Sequence, residues 1–395
     1  MVFNANSRTP IPTCHLGEQQ LKVVGEYTYV GVTFEAKQTF TFRKHLEGQM
    51  KSARRLTGAI FATRAHIGSL HPKAARILYT ARVDPHLVSA AEVAISTQEM
   101  HRYLTQVQHR YLRLMLGLNP RSVTAPLFTE MGLLPITYRR VEAALQYLVY
   151  VLTEKPVLPY EAMHEAHTLA ISGSSSWLSD LHLTVQRLIP TLNIELGGDL
   201  TVTHAEKILT EYRDGVQDQL CVMVRQTSRL PLITARLEGQ GPAASPTAMR
   251  PYLTEDMNPE DRIALTRLIC GDHPFAVEAL RRSSGVNRVP REWRICRFCK
   301  VRSAVEDEGH VLFGCRDTRL TALRLEFRWR ALDADRAFRL PGYPPNPLVT
   351  VTKLLRRTVL LPALAAYVRR VFVLCEETPI LRVHNDEELA QLDEQ

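Results

Sequence analysis

The spacing of apolar residues changes near residue 40. Before it, the stretch Tyr27-Thr-Tyr-Val-Gly-Val-Thr-Phe34 is rich in β-branched and aromatic residues, which predicts short strands. After it, apolar residues recur at intervals of three and four, as amphipathic helices require. The clearest examples are Leu46, Met50, Ala53 and Leu56, followed by Leu104, Val107, Tyr111 and Leu114. The pattern therefore predicts a mainly α protein with a short β segment at its N-terminus.

Two helix starts can be read directly from residue types. Pro72 suits the first turn of a helix, where its missing N–H would have had no partner. Thr203 and Glu206 have the spacing of a capping box, and an apolar stripe follows over 212–223. We therefore predict that one helix begins at Pro72 and that another is capped by Thr203.

The apolar run 359–375 is the best candidate for a membrane span. It contains Pro362 and the pair Arg369-Arg370, and it is short for a bilayer. A buried helix is the favoured interpretation, so no membrane partner is expected.

Polar, proline-rich or glycine-rich stretches divide the chain. They lie at 172–177, 239–251 and 340–347, and the second is the clearest boundary. The predicted organisation is a β segment at 1–40, a basic helical region at 41–155, a helical connector at 156–238, a linker at 239–251, a helical lead-in at 252–290, a zinc knuckle at 291–320 and a C-terminal helical segment at 321–395.

The positive charge is concentrated. The 395 residues carry a net charge of +8, with 45% apolar and 23% charged residues, as in ordinary soluble proteins of two or three domains. Residues 43–121 hold thirteen Lys or Arg against four Asp or Glu, and residues 281–302 hold eight against one. Two such zones favour contact with a polyanion, while solvated helix faces are the alternative for either zone alone.

Three cysteines and one histidine share a metal-binding pattern. Cys296, Cys299, His310 and Cys315 form C-x2-C-x10-H-x4-C, a complete tetrahedral shell for a structural zinc ion. The seven cysteines are an odd number and no secretory signal is expected at Met1, so a disulfide framework is not predicted. The spacing of His310 and Cys315 places them on different faces of an ideal helix, which predicts a backbone break near Gly314.

Basic and aromatic residues surround this motif. Zinc knuckles bind RNA by stacking bases on aromatic rings while basic side chains contact phosphates. The predicted contacts are Arg291, Trp293, Arg294, Arg297, Phe298, Lys300 and Arg302. Packing against the zinc core is the alternative for both aromatic rings. The acidic run 306–308 could orient His310, although a solvated turn is the favoured interpretation.

Five stretches follow one another in a recognisable order along the chain. They are Tyr29-Val-Gly-Val-Thr-Phe34, Phe42-Arg-Lys-His45 with the basic helix after it, Leu78-Tyr-Thr-Ala-Arg-Val-Asp-Pro-His-Leu87 with Ala91-Glu-Val93, Arg113-Leu-Met-Leu-Gly-Leu118 with Met131-Gly-Leu-Leu-Pro-Ile-Thr-Tyr-Arg-Arg140, and the zinc motif preceded by Arg267-Leu-Ile-Cys-Gly-Asp-His273. Together they resemble the carboxy-terminal part of a non-LTR retrotransposon reverse transcriptase. Ser89 and Ala90 stand where the family commonly has Tyr-Gly. The likeness covers roughly 1–150 and 260–320.

The resemblance implies a set of roles. Residues 1–40 would end the palm and 41–155 would include the thumb, while the stretches Arg113–Leu118 and Met131–Arg140 are similar to the family's connector helices. The thumb would hold template RNA or an RNA–DNA duplex through phosphate contacts from Arg43, Lys44, Lys51, Arg54 and Arg55. The parent enzymes are RNA-directed DNA polymerases that perform target-primed reverse transcription in the nucleus, which implies an intracellular, nuclear protein.

One expected feature of a polymerase is absent from the sequence. The family binds Mg²⁺ through palm carboxylates, usually in an aromatic-x-Asp-Asp turn, and no Asp-Asp dipeptide occurs here. We therefore expect a fragment of such an enzyme that binds nucleic acid and zinc but does not polymerise alone. The alternatives are a zinc-stabilised helical scaffold for protein–protein interaction and a non-functional remnant of an element.

Overall fold

The computed structural model describes residues 1, 13–36, 40–95, 98–195, 198, 200–238, 247–282, 289–341, 343–383 and 386–391. Within them the chain is mainly helical with a short N-terminal strand region, which confirms the predicted fold class. The chain divides into two units. The first comprises Met1–Gly68, Arg76–Tyr111 and Leu134–Gln219, and the second Ser69–Ala75, Leu112–Leu133 and Leu220–Gln395.

The strands form two small antiparallel hairpins in the first unit. Strand β1 (His15–Leu16) pairs with β2 (Gln19–Gln20), and β3 (Glu26–Tyr29) pairs with β4 (Val32–Glu35). Val30 and Gly31 join β3 to β4 with φ angles of 47° and 79°, and two-residue hairpin turns with both φ positive match the strand twist. The strands predicted in this stretch are confirmed.

Seventeen helices of at least four residues occur in the described part of the chain. In chain order, they are α1 (Arg43–Ala62), α2 (Arg64–Ile67), α3 (Pro72–Leu78), α4 (Asp84–Val88), α5 (Gln98–Leu116), α6 (Ala125–Met131), α7 (Ile136–Glu154), α8 (Val157–Ile171), α9 (Trp177–Leu188), α10 (Val202–Arg225), α11 (Pro231–Glu238), α12 (Pro259–Ile269), α13 (Ala276–Ala279), α14 (Thr318–Ala334), α15 (Pro347–Leu355), α16 (Leu361–Glu377) and α17 (Asp386–Gln391). Single π turns occupy Tyr79–Val83 and His310–Gly314, and 3-10 turns occupy Pro251–Leu253, Leu280–Arg282, Arg291–Trp293 and Thr358–Leu360.

Helix α1 buries the predicted apolar face in the first unit. Leu46, Met50 and Ala53 are buried, while Leu56 is only half-buried because Thr57 occupies the core side of that turn. The hydroxyl of Thr57 donates to the Ala53 carbonyl at 2.8 Å, which satisfies its polar group inside the core. The helix packs against β4 and α4.

A π turn leads from α3 into α4 at a proline. The Asp84 N–H bonds to the Tyr79 carbonyl, and Pro85 follows in the first turn of α4 without a backbone donor of its own. Arg140 on α7 is buried, and it donates to the carbonyls of Leu87 and Ala94 at 2.9 and 3.0 Å. Burial lowers the pKa of Arg140 to about 10. This arginine fixes the turn after α4 to α7.

The helix starts partly follow the predictions. Pro72 begins α3, as predicted. The predicted capping box at Thr203 is wrong, because α10 begins at Val202 and Thr201 accepts the backbone N–H of His204 at 3.2 Å. A reciprocal capping box occurs at α9 instead. There Ser176 accepts from the Ser179 N–H at 3.2 Å, and the Ser179 hydroxyl accepts from the Ser176 N–H at 2.7 Å.

The core of the second unit is built around α16. This helix packs against α12 and α14, and its inner side includes Leu364, Val368 and Val371, which are fully buried. By length and composition the segment Thr358–Glu377 could cross a membrane, yet half of it is buried inside the protein. The interpretation of 359–375 as a buried core helix agrees with this packing.

The predicted linker lies mostly outside the described residues. Of 239–251, only 247–251 are described, and these pack into the second unit. Met249 forms an antiparallel bridge with Met131, and Arg250 is buried with its Nε donating to the Thr129 carbonyl at 2.9 Å. This part of the segment is therefore a packed element of the second unit.

Candidate metal centre

A tight hairpin presents the first two cysteines. Ile295 and Val305 form an antiparallel bridge, and the Cys296 N–H donates to the Ala304 carbonyl at 2.9 Å. The Lys300 N–H returns to the Cys296 carbonyl at 2.9 Å, and Lys300 itself has a φ of 52°. This turn folds the chain back immediately after Cys299, so both sulfurs lie on the same side of the hairpin.

A π turn presents the other two ligands. The Cys315 N–H donates to the His310 carbonyl at 2.6 Å. This hydrogen bond spans five residues, where that of an α-helix spans four, and so defines a π turn. The helical segment ends at Gly314, and Cys315 is extended with a ψ of 138°. The predicted break near Gly314 is confirmed, and it lets an imidazole and a thiol five residues apart converge.

The four donor atoms are spaced as a tetrahedral zinc site requires. The Sγ atoms of Cys296 and Cys315 are 3.9 Å apart, and Cys299 Sγ lies 3.4 Å from His310 Nε2. All four donor atoms lie within 4.8 Å of one another. Ligands at about 2.0–2.3 Å from a tetrahedral zinc are separated by roughly 3.5–3.8 Å. The donor set therefore fits a bound zinc ion with no fifth position needed.

Electrostatics inside the cluster also favour a cation. Hydrogen bonds from Cys296 and Cys315 hold the pKa of the Cys299 thiol far below its usual range, while the pKa of Cys296 is raised because its proton is shared with Cys299. Burial disfavours the imidazolium of His310, but hydrogen bonds to Cys299 and Cys315 raise its pKa to about 9. One thiolate thus suppresses ionisation of the next, and a divalent cation is what would allow all three to ionise together.

The carboxylate of Glu306 is fully buried. It accepts from the backbone N–H of Ala276 and of Arg297, both at 2.8 Å, and it pairs with the Arg297 guanidinium at 2.6 Å. The Nη1 of Arg297 donates to the Cys375 carbonyl, and Nη2, which also pairs with Glu306, donates to the Pro274 carbonyl, each at 2.8 Å. These bonds anchor the cysteine hairpin to the C-terminal turn of α16 and to the segment before α13.

The other two acidic residues are also engaged. Glu308 is buried, with its carboxylate 3.0 Å from His273 Nε2, and Asp307 accepts the backbone N–H of His310 at 2.9 Å. Burial opposes ionisation of Glu308, but His273 holds the pKa of that carboxyl below its usual range. The interpretation of 306–308 as a solvated turn is therefore wrong. Asp307 does orient His310, through the backbone of the ligand.

Two residues on neighbouring helices fix the π turn from outside the motif. Arg324 on α14 donates to the carbonyls of Leu312 and Cys315, both at 2.9 Å. The hydroxyl of Tyr367 on α16 also donates to the Leu312 carbonyl, at 2.5 Å. Residue type and spacing gave no sign of these supports, because each is separated from the motif along the chain and lies in a helix whose pattern predicts only core packing.

The predicted RNA contacts around the knuckle fall into two groups. Arg294, Arg297 and Phe298 are buried, and both guanidinium groups bond within the protein, with Arg294 donating to the Val277 carbonyl at 2.7 Å. Their burial removes them from the set of phosphate and base contacts. The exposed members are Arg291, Lys300 and Arg302, and Arg291 pairs with Asp307 at 3.0 Å.

Both aromatic rings of the motif have packing partners. Trp293 is half-buried against a cluster that contains Ile295 and Val383. The Phe298 ring is covered by the Arg319 guanidinium, whose central carbon lies 5.4 Å from the ring centre. The packing alternative therefore accounts for both rings.

The predicted thumb contacts lie together on α1 in the first unit. Arg43 pairs with Glu47 at 3.0 Å, and Lys44 pairs with Glu26 on β3. Lys51, Arg54 and Arg55 are exposed, and none of them forms an ion pair or side-chain hydrogen bond with a described residue. These three are the free cations of the predicted set.

A third basic stretch was missed at the sequence level. Residues 316–357 carry ten Lys or Arg against four Asp or Glu. This excess of positive charge does not show in a net charge summed over the rest of the chain, because the acidic residues at 306–308 and 376–394 cancel it. The tripeptide Arg328-Trp-Arg330 was the local signal that could have identified it.

No protein-family model matches this chain, and no curated protein or solved structure is significantly similar to it.

Proposed function

We propose that this chain binds nucleic acid, with the basic face of α1 holding the phosphates of template RNA or of an RNA–DNA duplex. A structural zinc ion held by Cys296, Cys299, His310 and Cys315 would stabilise the second unit. The proposal assigns the chain the roles of the thumb, connector and zinc knuckle of the non-LTR retrotransposon reverse transcriptases that it resembles.

The observation that carries the proposal is the solvent face of α1. Lys44, Gly48, Lys51, Arg55 and Gly58 are spaced by four, three, four and three residues, so they lie along one face of the helix. Each of the five is exposed, and the core residues of α1 lie on the opposite side. The face therefore combines three cations with two residues that have no side chain.

The two glycines have no role in packing. A Cβ atom added to Gly48 or Gly58 would have no neighbour within 4 Å. Glycine inside a helix costs about 1 kcal/mol relative to alanine, so two such residues destabilise α1 without any gain inside the protein. Glycine also permits close approach of a partner to the helix backbone, which suits a sugar–phosphate strand lying between the cations.

The backbone near α4 supports the family resemblance. Ala90 has a φ of 54°, in the left-handed region that glycine adopts without strain. It occupies the position of the family's usual glycine in the pattern that includes Val83, Pro85 and Leu87. The conformation that would favour glycine is thus kept although the residue has changed.

Salt dependence of binding tests the proposal. Contacts to phosphates release counterions, so the logarithm of the affinity for an RNA–DNA duplex should fall steeply and linearly with the logarithm of the salt concentration. The double substitution Lys51→Ala/Arg55→Ala should weaken binding and reduce the slope by about 2. Arg213→Ala/Arg225→Ala removes two exposed arginines from α10 and serves as the charge-matched control.

The outcomes separate the alternatives. No binding, or an affinity that stays flat between about 50 and 200 mM salt, would contradict the proposal and favour a protein-binding scaffold. Equal effects of the two double substitutions would remove α1 as the contact. Primer extension on an RNA template with Mg²⁺ should give no product, because no Asp-Asp pair is present.

A further inference from the structure

Helix α14 carries an exposed tryptophan between two arginines. The Trp329 side chain is 73% exposed, while the other two tryptophans of the chain, Trp177 and Trp293, are half-buried against apolar clusters. On α14 the core side is formed by Leu320, Arg324, Phe327 and Ala331, and Trp329 projects from the opposite side. Leu325, one turn earlier, is 49% exposed on the same side. An indole in this position has no packing function within the second unit.

A basic groove opens on the same helix at Arg328 and Leu332, which come immediately before and one turn after Trp329. Its volume is about 580 Å³, and it is lined by Arg328, Leu332, Arg336, Phe338, Arg339, Leu340 and Pro341. Three guanidinium groups therefore surround an apolar floor, and no carboxylate contributes to the lining. Phe338 is buried and packs edge-to-face on Phe327 at 6.3 Å, which fixes that floor to α14.

Two of the three cations of this groove are fully available to a ligand, since the Arg339 guanidinium donates to the carbonyls of Arg336 and Phe338, both at 2.8 Å. The side chains of Arg328 and Arg336 form no ion pair or hydrogen bond with any residue in the described part of the chain. A second groove, of about 460 Å³, lies between α14 and α16 and also contains arginines. There, however, Arg330 and Arg370 are both paired with Glu326, and Arg369 is paired with Glu260 and Asp261. Free positive charge thus distinguishes the groove beside Trp329.

This combination is suited to one kind of ligand. A flat aromatic side chain in solvent can stack on a nucleobase, and free guanidinium groups beside it can contact the adjoining phosphates. Bases in a duplex are already stacked on each other, so an exposed indole selects for unpaired ones. An acidic peptide would use the arginines but would leave the indole without a planar partner.

We infer that the face formed by Trp329, Arg328, Arg336 and Arg339 binds single-stranded nucleic acid, with a base stacked on the indole and phosphates on the guanidinium groups. The inference rests on the proposed nucleic-acid binding and adds a single-strand site in the second unit, separate from the phosphate contacts assigned to α1. The chain would then hold a duplex and an unpaired strand with different residues.

The test compares two fluorescein-labelled probes, a 12-nucleotide single-stranded RNA and an RNA–DNA duplex of the same sequence, on the full zinc-loaded chain. Trp329→Ala should weaken single-strand binding about tenfold, since stacking contributes strongly to each base, and should change duplex binding less than twofold. Arg328→Ala/Arg336→Ala should reduce the single-strand salt slope by about 1.4. Tyr150→Ala removes an exposed aromatic ring from α7 as the matched control.

Each outcome is decisive. Single-strand affinity that is unchanged by Trp329→Ala, or lowered as much as duplex affinity, overturns the inference while leaving the proposed function intact. A wild-type chain that binds neither probe overturns both. A change in sedimentation of Trp329→Ala in the absence of RNA would identify the face as a protein contact and overturn it as well. Because Trp329 is exposed, the substitution should leave the thermal midpoint unchanged, which excludes misfolding as a cause.

Discussion

Arg297 and Glu306 form an ion pair that is buried on both sides, with side-chain exposures of 2% and 0%. The guanidinium donates to Glu306 at 2.6 Å and also to the carbonyl of Cys375, which lies 78 residues further along the chain. A residue between two metal ligands is thus bound to the last turn of α16. The segment that carries the candidate metal ligands is consequently built into the second unit.

The first prediction concerns this pair. Glu306→Gln should destabilise the second unit by about 3–5 kcal/mol, because it leaves the Arg297 guanidinium charged and buried without a counterion. Urea denaturation followed by Trp293 fluorescence, in a chain where the other two tryptophans are phenylalanine, measures this. The matched control is Glu326→Gln, which weakens exposed pairs with Arg330 and Arg370 in the same unit and should cost less than about 1 kcal/mol. Equal losses in both variants would contradict the assigned role.

The second prediction concerns the metal. Purified protein should contain one zinc ion per chain, and Cys299→Ser should lose it, because a hydroxyl cannot replace a thiolate ligand. Elemental analysis measures the content, and a chelator should lower the thermal midpoint of the wild type but leave that of Cys299→Ser unchanged. Cys221→Ser, at a half-buried cysteine outside the site, should retain the full zinc content. Substoichiometric zinc in the wild type would refute the site.

The third prediction concerns pH and the first unit. Burial, reinforced by the positive charges of Arg140 and Arg187, lowers the pKa of His101 to about 4. Protonation is easier in the unfolded chain, where the ordinary value is 6.5, so stability is complete above pH 6.5 and falls as the pH drops toward 4. The loss over that window should be of order 3 kcal/mol.

Trp177 fluorescence reports on this unit once the other two tryptophans are replaced by phenylalanine. His101→Gln should flatten the dependence of unfolding free energy on pH between 6.5 and 4, whereas His66→Gln, at an exposed position of α2, should not change it. A wild-type stability that stays constant across this window would show that His101 is not held neutral by its surroundings.

The fourth prediction separates stability from binding on α1. Gly48→Ala and Gly58→Ala should each stabilise the first unit by about 1 kcal/mol, because both positions are exposed and have open space for a Cβ. The same substitutions should weaken duplex binding, because the methyl groups hinder close approach of the phosphate strand. Thermal melting and duplex titration measure the two effects. Ala162→Met enlarges an exposed side chain on α8 of the same unit and should leave affinity unchanged. Unaltered affinity in both glycine variants would mean that no strand approaches α1.

Local chemistry could be predicted from the sequence, whereas long-range partners could not. The four metal ligands were identifiable because Cys296 and Cys299 need only a tight turn to converge. The helical class followed from periodicity, as the burial of Leu46 and Met50 on α1 shows. A capping box at α9 was missed because Ser179 replaces the usual Glu at the third position.

Charge was the least predictable property. Arg294 and Arg297 were predicted from the sequence to contact phosphates. In the structure their guanidinium groups instead form hydrogen bonds with buried carbonyls and with Glu306. Whether an arginine faces solvent depends on partners distant in sequence, such as Cys375, that no local pattern reveals. Trp329 shows the same difficulty for an apolar residue. From the sequence alone its side chain could equally have been part of the core, and only the structure shows which face of α14 is buried and that Trp329 is exposed.

The arrangement of bonds around the zinc turn has a consequence for the chain in the cell. Because Arg324, Tyr367 and Arg297 join the ligand segments to α14 and α16, release of the metal would loosen the core of the whole second unit. Ligands that bind only the folded state stabilise it in proportion to the logarithm of their free concentration. With the proposed zinc ion at this turn, the folded fraction of the unit should follow the supply of free zinc, and single-strand binding by the surface proposed on α14 should fall as zinc is withdrawn.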